Sequence, residues 1–271
     1  MTIPLSGNAS GARICPAAER LLSRLGLLVA LVLALASVSS AAQTAPSLPA
    51  QPSLVQRVLS TYSVRGIIGM QRHFATVING GPVHHTEQSE SGLLTDDGAY
   101  VKIKYYRIVR DGRAFSAGDL AKRESQTNSD WAAGKVFFKE PYDRRYSGDY
   151  SFTLPGSSAA CAAGTIAVSF KSPVQDIQHG SGTMCVRSAD AHVIKLTYVP
   201  NAYPPHASSG SVTETSSEVL PGLWYVTRID ETYSGHAFIL SGTASFTGIV
   251  DHFKHFATLG EGEAALANGS L

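Results

Sequence analysis

Apolar and polar residues alternate along most of the chain, a pattern typical of strands that bury one face and expose the other. The clearest run is Ala99–Arg110, in which Val101, Ile103 and Tyr105 alternate with polar residues. Asp-Gly pairs precede and follow this run, and such pairs are typical of turns between antiparallel strands. Similar alternation predicts further strands at residues 150–154, 166–170, 194–198, 223–229 and 237–256. We therefore expect an antiparallel meander.

Helical periodicity occurs in two places. Residues 53–62 place apolar side chains on one helical face, and Ser53 is suited to cap the helix N-terminus. Residues 116–131 begin with Ser116 and Asp119 at the spacing of a capping box, but the rest of the stretch is mostly polar. This second stretch predicts a weakly amphipathic helix or a mobile insertion, and in neither case a core element.

Three other segments show neither period. His84 and His85 lie in a polar stretch after Gly-Gly-Pro, and residues 204–211 are rich in proline, serine and glycine. We interpret both segments as solvated loops. Residues 260–271 are interpreted as a frayed C-terminal tail.

The first 42 residues predict an export leader. Three arginines precede an apolar run at residues 25–36, and Ser40-Ala41-Ala42 has the form that a signal peptidase cuts. The run ends after about 12 residues, whereas a membrane span needs roughly 20, although an uncleaved anchor is the alternative. Cleavage after Ala42 would leave a proline-rich linker at 43–52 and a single β-rich domain at 53–259. We expect a periplasmic or extracellular protein with at most transient membrane contact.

The net charge limits the classes of binding partner, and the cysteine content predicts a disulfide. Residues 43–271 carry 19 basic and 20 acidic side chains, which offers no general attraction for nucleic acid or anionic lipid. Cys15 lies in the leader, which leaves Cys161 and Cys185. An isolated pair in an exported chain predicts one disulfide. The alternative, a redox or metal pair, lacks both a C-x-x-C spacing and a nearby histidine pair.

Candidate catalytic residues are few. The chain has no G-x-S-x-G, S-x-x-K or H-E-x-x-H motif. His179 and Ser181 are close in sequence, but a third orienting group and an oxyanion hole are not evident, so we favour a polar hairpin loop. His252 and His255 would face opposite sides of a strand, and no carboxylate completes a metal set with them. We predict no cofactor and no metal.

Several short motifs succeed one another in a recognisable order. Glu140-Pro141-Tyr142-Asp143 leads to a strand at 150–152, and Gly182-Thr183-Met184 leads to a strand at 193–196 before Leu220-Pro221-Gly222-Leu223-Trp224. Across residues 53–256, this order resembles the lipoprotein-carrier superfamily of bacterial envelopes, the LolA/LolB-like proteins. The resemblance implies a mainly β (α+β) fold, in which a strongly curved antiparallel sheet forms an open half-barrel. It also implies one or two short helices on the concave face, with acyl chains or other apolar groups between.

The same resemblance suggests a function and a set of ligand-facing residues. We expect an exported, non-enzymatic protein that binds an apolar or lipid-like ligand. An envelope interaction or structural protein, working through a sheet edge or the loop around Ala207, is one alternative, and an envelope hydrolase using His179 and Ser181 is another. The chain departs from the carriers in its cysteine pair, its polar segment after Ser116 and its lack of a lipid-anchor cysteine. The residues predicted for the inner face, each alternatively an ordinary core residue, are Val101, Ile103, Tyr105, Phe152, Phe170 and Trp224.

Overall fold

The computed structural model describes residues 53–62, 66–135, 138–154, 161–203, 206–237 and 240–271. The predicted leader and linker lie outside the described residues. Within these ranges the helices are α1 Leu54–Thr61, α2 Ala117–Ala132 and α3 Leu259–Asn268. The strands are β1 Ile67–Gly80, β2 Val83–Asp96, β3 Ala99–Arg110, β4 Arg113–Ala114, β5 Ser151–Thr153, β6 Thr165–Lys171, β7 Gly180–Arg187, β8 Val193–Pro200, β9 Ala207–Leu220, β10 Leu223–Ala237 and β11 Leu240–Phe256.

The described strands form one antiparallel sheet in the order β4-β3-β2-β1-β11-β10-β9-β8-β7-β6-β5. The sheet does not close and corresponds to a curved open half-barrel, which confirms the predicted fold class. Its centre is the pairing of the first and last strands, from Ile67 opposite Phe256 to Gly80 opposite Gly242. The strand predicted at Ala99–Arg110 is confirmed with the same bounds.

This strand order forces the chain to cross one face of the sheet. β4 and β5 are consecutive in the chain but lie at opposite edges, so residues 115–150 must connect one edge to the other. The connection contains α2 and the Pro-Tyr-Asp turn, in which Tyr142 and Asp143 are buried. We refer to residues 138–150 as the crossing segment. It covers the concave face of the half-barrel.

Helix α1 covers the same face. The Ser53 hydroxyl accepts from the Gln56 backbone N–H at 3.2 Å, which confirms the predicted cap. Val58 is buried in the core cluster that also contains Tyr142. The Arg144 side chain donates to the Leu59 carbonyl at 2.6 Å, which ties the crossing segment to the helix. The expected short helices on the concave face are therefore α1 and the C-terminal end of α2.

The C-terminal residues predicted to fray form α3, which packs on the sheet. Ala265, Leu266 and Leu271 are buried against Leu94 and Phe256. Helix α3 also explains a glycine in β2, since a Cβ at Gly92 would lie 2.6 Å from Leu266. The tail does carry helix signals, since Thr258 and Glu261 have the spacing of a capping box and Gly269 ends the helix in the left-handed region. Its apolar residues become a core against β1, β2 and β11.

Of the other sequence predictions, the disulfide is confirmed and the two solvated loops are wrong. Cys161 and Cys185 form the predicted disulfide. His84 and His85 belong to β2, and residues 207–211 belong to β9, so the two solvated loops expected there are paired strands. The alternation in these segments is hidden because the strand ends extend beyond the core and carry polar side chains on both faces.

The polar character of α2 has a structural reason. β4 pairs only with Val109 and Arg110 of β3, which leaves the outer edge of β3 without a neighbouring strand at Ile103. The Asn128 side chain of α2 accepts from the Ile103 N–H at 2.9 Å and donates to the Ile103 carbonyl at 3.1 Å. Exposed strand edges favour aggregation, and a covering helix removes that hazard. Polar α2 side chains therefore take the place of a further strand.

We predict that Asn128→Ala destabilises the domain by about 1–3 kcal/mol, because the backbone donor and acceptor of Ile103 lose their partner. Equilibrium denaturation in urea measures the change. Gln126→Ala is the matched control, since Gln126 donates to Asp130 on an exposed part of the same helix and, among the described residues, bonds no strand edge. Equal stability of the two variants would contradict this role for Asn128.

Candidate functional site

A cavity of about 360 Å³ lies between the concave face of the sheet and its cover. The sheet contributes apolar side chains that include Met70, Leu93 and Val250. The cover contributes aromatic side chains from three successive parts of the chain. These are Tyr62 after α1, Trp131 near the end of α2, and Phe138, Tyr142 and Tyr146 of the crossing segment.

A larger apolar groove of about 670 Å³ adjoins this cavity. Its walls come from the far ends of β1, β9, β10 and β11 and from residues before β7. They include Ile78, Ile177, Tyr233, Ala244 and Phe246.

The cavity and the groove share three lining residues. Phe138, Tyr198 and Glu231 border both spaces. The rings of Phe138 and Tyr198 stack with centroids 3.7 Å apart and planes 11° from parallel. This aromatic pair, contributed by the crossing segment and by β8, therefore lies at the junction of the two spaces.

Aromatic pairs make up much of the cavity wall. Tyr62 meets Tyr142 edge to face at 4.8 Å between ring centroids, and Tyr100 stacks on Trp131 at the same distance. Burial raises the pKa of Tyr100 and raises the pKa of Tyr62 well above its ordinary value. These phenols therefore stay neutral at physiological pH and present rings and hydroxyls to the cavity.

Three carboxyl groups also line the cavity: Glu140, Glu214 and Glu231. Burial is the main cause that raises the pKa of Glu140 to about 7, and the neighbouring Asp143 adds to it. Burial also raises the pKa of Glu214 well above its usual value, with further contributions from Glu140 and Glu231. The pKa of Glu231 is raised by burial as well. Glu140 and Glu231 are therefore close enough to Glu214 to influence its ionisation.

Two arginines line the same cavity. Arg145 donates to both carboxylate oxygens of Asp143, with its Nε 3.1 Å and 2.9 Å from them. Arg72 lies over the ring of Phe74, with its guanidinium carbon 4.5 Å from the centroid. The ionic partner of Arg145 is thus the buried turn residue Asp143, and Arg72 is held by aromatic contacts.

Trp224 is the predicted ligand-facing residue that lines the cavity. Its ring stacks on His192 with centroids 4.7 Å apart. Phe170 is buried in the neighbouring core cluster, and Phe152 packs against that cluster. Both phenylalanines therefore lie in the core, which was the alternative interpretation of each predicted ligand-facing residue.

The three predicted residues on β3 lie at the α2 edge of the sheet. Ile103 is buried, and the Tyr105 hydroxyl is 3.3 Å from the Thr127 hydroxyl of α2. Val101 is 38% exposed, because the register between β2 and β3 shifts beside it and breaks the strict alternation. None of the three is among the described residues that line the cavity or the groove.

The sequence patterns do not single out the carboxyl groups of the cavity. Glu140 is the first residue of the Glu-Pro-Tyr-Asp motif, and that motif does not mark it as ligand-facing. Neither Glu214 nor Glu231 belongs to a pattern that predicts a ligand-facing residue. A signal for Glu214 exists, since it is two residues from Val212 in β9 and therefore on the same face of the strand. The pattern that would identify Glu214 is a charged residue on a strand face whose other residues are apolar.

The hydrolase arrangement is not assembled. His179 is 2% exposed, and its Nδ1 and Nε2 lie 2.7 Å and 3.3 Å from carboxylate oxygens of Asp176 and Asp149. The Ser181 hydroxyl donates instead to Asn201 Oδ1 at 3.4 Å. Both imidazole nitrogens therefore face carboxylates, and the described residues show no bond between His179 and Ser181. The sequence pattern favoured a polar hairpin loop at Ser181, but Ser181 is part of strand β7.

Two further features are missing from the described part of the chain. It contains no cluster of three or more side chains suited to hold a metal ion. No helix within it has the length and apolar character needed to cross a bilayer.

No protein-family model matches the sequence, and no curated protein matches it. Solved structures do show similarity. A DUF1329 family protein from Desulfovibrio piger is 11% identical, with a TM-score of 0.36, and the match covers 80% of this chain and 96% of that one. A LolA superfamily protein from Nitrosomonas europaea is 8% identical, with a TM-score of 0.35 and coverages of 77% and 94%.

A third solved structure belongs to the same group of similar folds. It is described as a putative outer membrane lipoprotein-sorting protein domain from Vibrio parahaemolyticus, and it is 11% identical with a TM-score of 0.36. The match covers 80% of this chain and 95% of that one. The structures similar to this chain thus include LolA superfamily and lipoprotein-sorting proteins, as the sequence resemblance predicted.

We predict that the domain becomes less stable as the pH rises from 4.5 to about 7. The folded state raises the pKa of Glu140 from 4.5 to about 7, so it holds a proton that the unfolded chain releases in this range. The contribution of Glu140 is therefore full below pH 4.5 and is lost as the pH rises through about 7. Glu140→Gln should reduce this decline, leaving the part due to Glu214 and Glu231.

Urea unfolding at several pH values measures the decline for each variant. Glu263→Gln is the control, because Glu263 is exposed on α3 and its ion pair among the described residues is the exposed one with Lys102, at 3.6 Å. If the native protein and Glu140→Gln lose stability with the same slope, the proposed protonation of Glu140 is wrong.

Proposed function

We propose that this protein is exported and binds an apolar or lipid-like ligand in the adjoining cavity and groove, without catalysing a reaction on it. The observation that carries the proposal is that the two spaces are adjacent and share Phe138, Tyr198 and Glu231 as lining residues. A chain-like ligand would use two adjacent spaces better than a compact one would.

The size and chemistry of the site support this proposal. Small-molecule sites commonly measure about 300–1,000 Å³, are mostly apolar, and carry a few placed polar groups. The groove measures about 670 Å³ and the cavity about 360 Å³. Apolar and aromatic residues such as Ile78, Phe246 and Tyr233 provide the surface on which an alkyl chain would be shielded from water.

The non-enzymatic part of the proposal is supported by the histidine geometry. His179, the best catalytic candidate in the sequence, is occupied by Asp176 and Asp149. The exported part is supported by the predicted leader and by the disulfide, since such bonds persist in oxidising compartments. Handling of lipids or lipoproteins in the envelope is the role that we propose for such a protein.

Binding of a fluorescent fatty-acid probe tests the proposal, with native mass spectrometry of the gently purified protein as a second measurement. We predict that Ala244→Trp weakens probe binding by at least about tenfold, because the indole would fill part of the groove that Ala244 lines. Ser245→Trp is the matched control, since the adjacent residue points to the opposite face of β11.

The two variants separate groove occupation from general damage to the sheet. Loss of binding in Ala244→Trp with normal binding in Ser245→Trp supports the proposal. A folded native protein that neither binds the probe nor carries a ligand by mass spectrometry would refute it.

A further inference from the structure

Glu214 occupies an unusual position for a carboxyl group. It is 6% exposed, and its cross-strand neighbours in the sheet are Leu196 on β8 and Ile229 on β10. It lines the cavity, and the Tyr198 hydroxyl donates a hydrogen bond to its carboxyl group, but its Oε2 atom has no hydrogen-bond partner among the described residues. Burying an unpartnered polar atom costs about 1–3 kcal/mol, so such atoms call for an explanation.

The surroundings of Glu214 define what would satisfy it. Glu140 and Glu231 line the same cavity and act electrostatically on Glu214, so the ionised form of Glu214 is opposed by like charge, and a bound cation would relieve that repulsion. Aromatic rings of Tyr62, Tyr142 and other residues form the remaining wall. Carboxylates together with aromatic faces are the chemistry that receives an ammonium group, through charge-assisted hydrogen bonds and cation–π contacts.

The two arginines in the cavity do not offset all three carboxyl groups. Arg145 is paired with Asp143, which therefore offsets its charge. Arg72 lies over Phe74 and is also 5.7 Å from the Trp131 ring centroid. Three carboxyl groups thus face one guanidinium that lacks an ion-pair partner among the described residues.

We propose that the cavity binds the ammonium head of a cationic amphiphile, with Glu214 as its principal acceptor and the groove as the site of its alkyl chain. This inference rests on the proposed function and specifies its ligand class. Glu231 borders both spaces and acts electrostatically on Glu214, so it would add a second carboxyl group to the recognition of the head. Burial favours the neutral acid in the empty site, and an arriving cation would displace the proton of Glu214.

A series of amphiphiles with one alkyl chain and different heads tests the inference. Dodecylammonium, dodecyltrimethylammonium, dodecanol and dodecanoate are titrated by calorimetry near neutral pH, below their micelle concentrations. We predict that the two ammonium compounds bind at least about tenfold more tightly than dodecanol and dodecanoate. A preference for the primary ammonium would indicate hydrogen bonding to Oε2, and equal affinities would indicate the aromatic wall.

Glu214→Gln removes the charge with little change in shape. We expect it to reduce the affinity for dodecylammonium about tenfold and to leave the affinity for dodecanol unchanged. Unchanged dodecanol binding also demonstrates that the variant is folded with an intact groove. Glu263→Gln, the same change on the exposed surface of α3, should alter neither affinity.

The outcomes distinguish the inference from the function on which it rests. If dodecanol or dodecanoate binds the native protein as tightly as the ammonium compounds, the inference fails while the proposed function stands. If no compound binds, both fail. Because the head-group series uses the native protein, the inference remains testable even if Glu214→Gln does not fold.

Discussion

The pairing of β1 with β11 is the constraint on which the rest of the structure depends. With the first and last strands in the centre of the sheet, β4 and β5 become opposite edges although they are consecutive in the chain. The intervening residues then have to cross the sheet, and they do so over its concave face. The crossing segment thereby provides Phe138, Glu140 and Tyr142 as cavity wall, so the site is a direct consequence of strand order.

The same topology explains how a few helices protect a long sheet. The edge at Ile103 is satisfied by Asn128 of α2, and the opposite face of β1, β2 and β11 is covered by α3 through Leu266. An apolar groove near Ile78 and Phe246 remains uncovered by the helices. An uncovered apolar surface of this kind is typical of ligand-binding sites.

The buried carboxyl groups of the site lower the stability of the fold. Glu214 sits on the apolar face of β9 with an unpartnered oxygen, where a leucine would pack without a polar atom to satisfy. Local departures of this kind from the rules of core packing occur where a protein has a functional reason for them. In this protein the departure coincides with the cavity, and therefore the proposed ligand class is defined by the same residues that destabilise the fold.

The sequence alone determined the antiparallel strand pattern, the strand at Ala99–Arg110, the Ser53 cap and the Cys161–Cys185 pair, because periodicity, caps and cysteine usage are local or compositional signals. The half-barrel form was what the family resemblance implied. The strand character of His84 and His85 was missed because their surroundings show no clear period, and α3 was missed although Thr258 and Gly269 cap it. Only the tertiary structure decided that Trp224 would line the cavity while Phe170 would be core. That choice depends on which strands become neighbours and where the chain crosses them, and such contacts between distant residues leave no trace in local alternation.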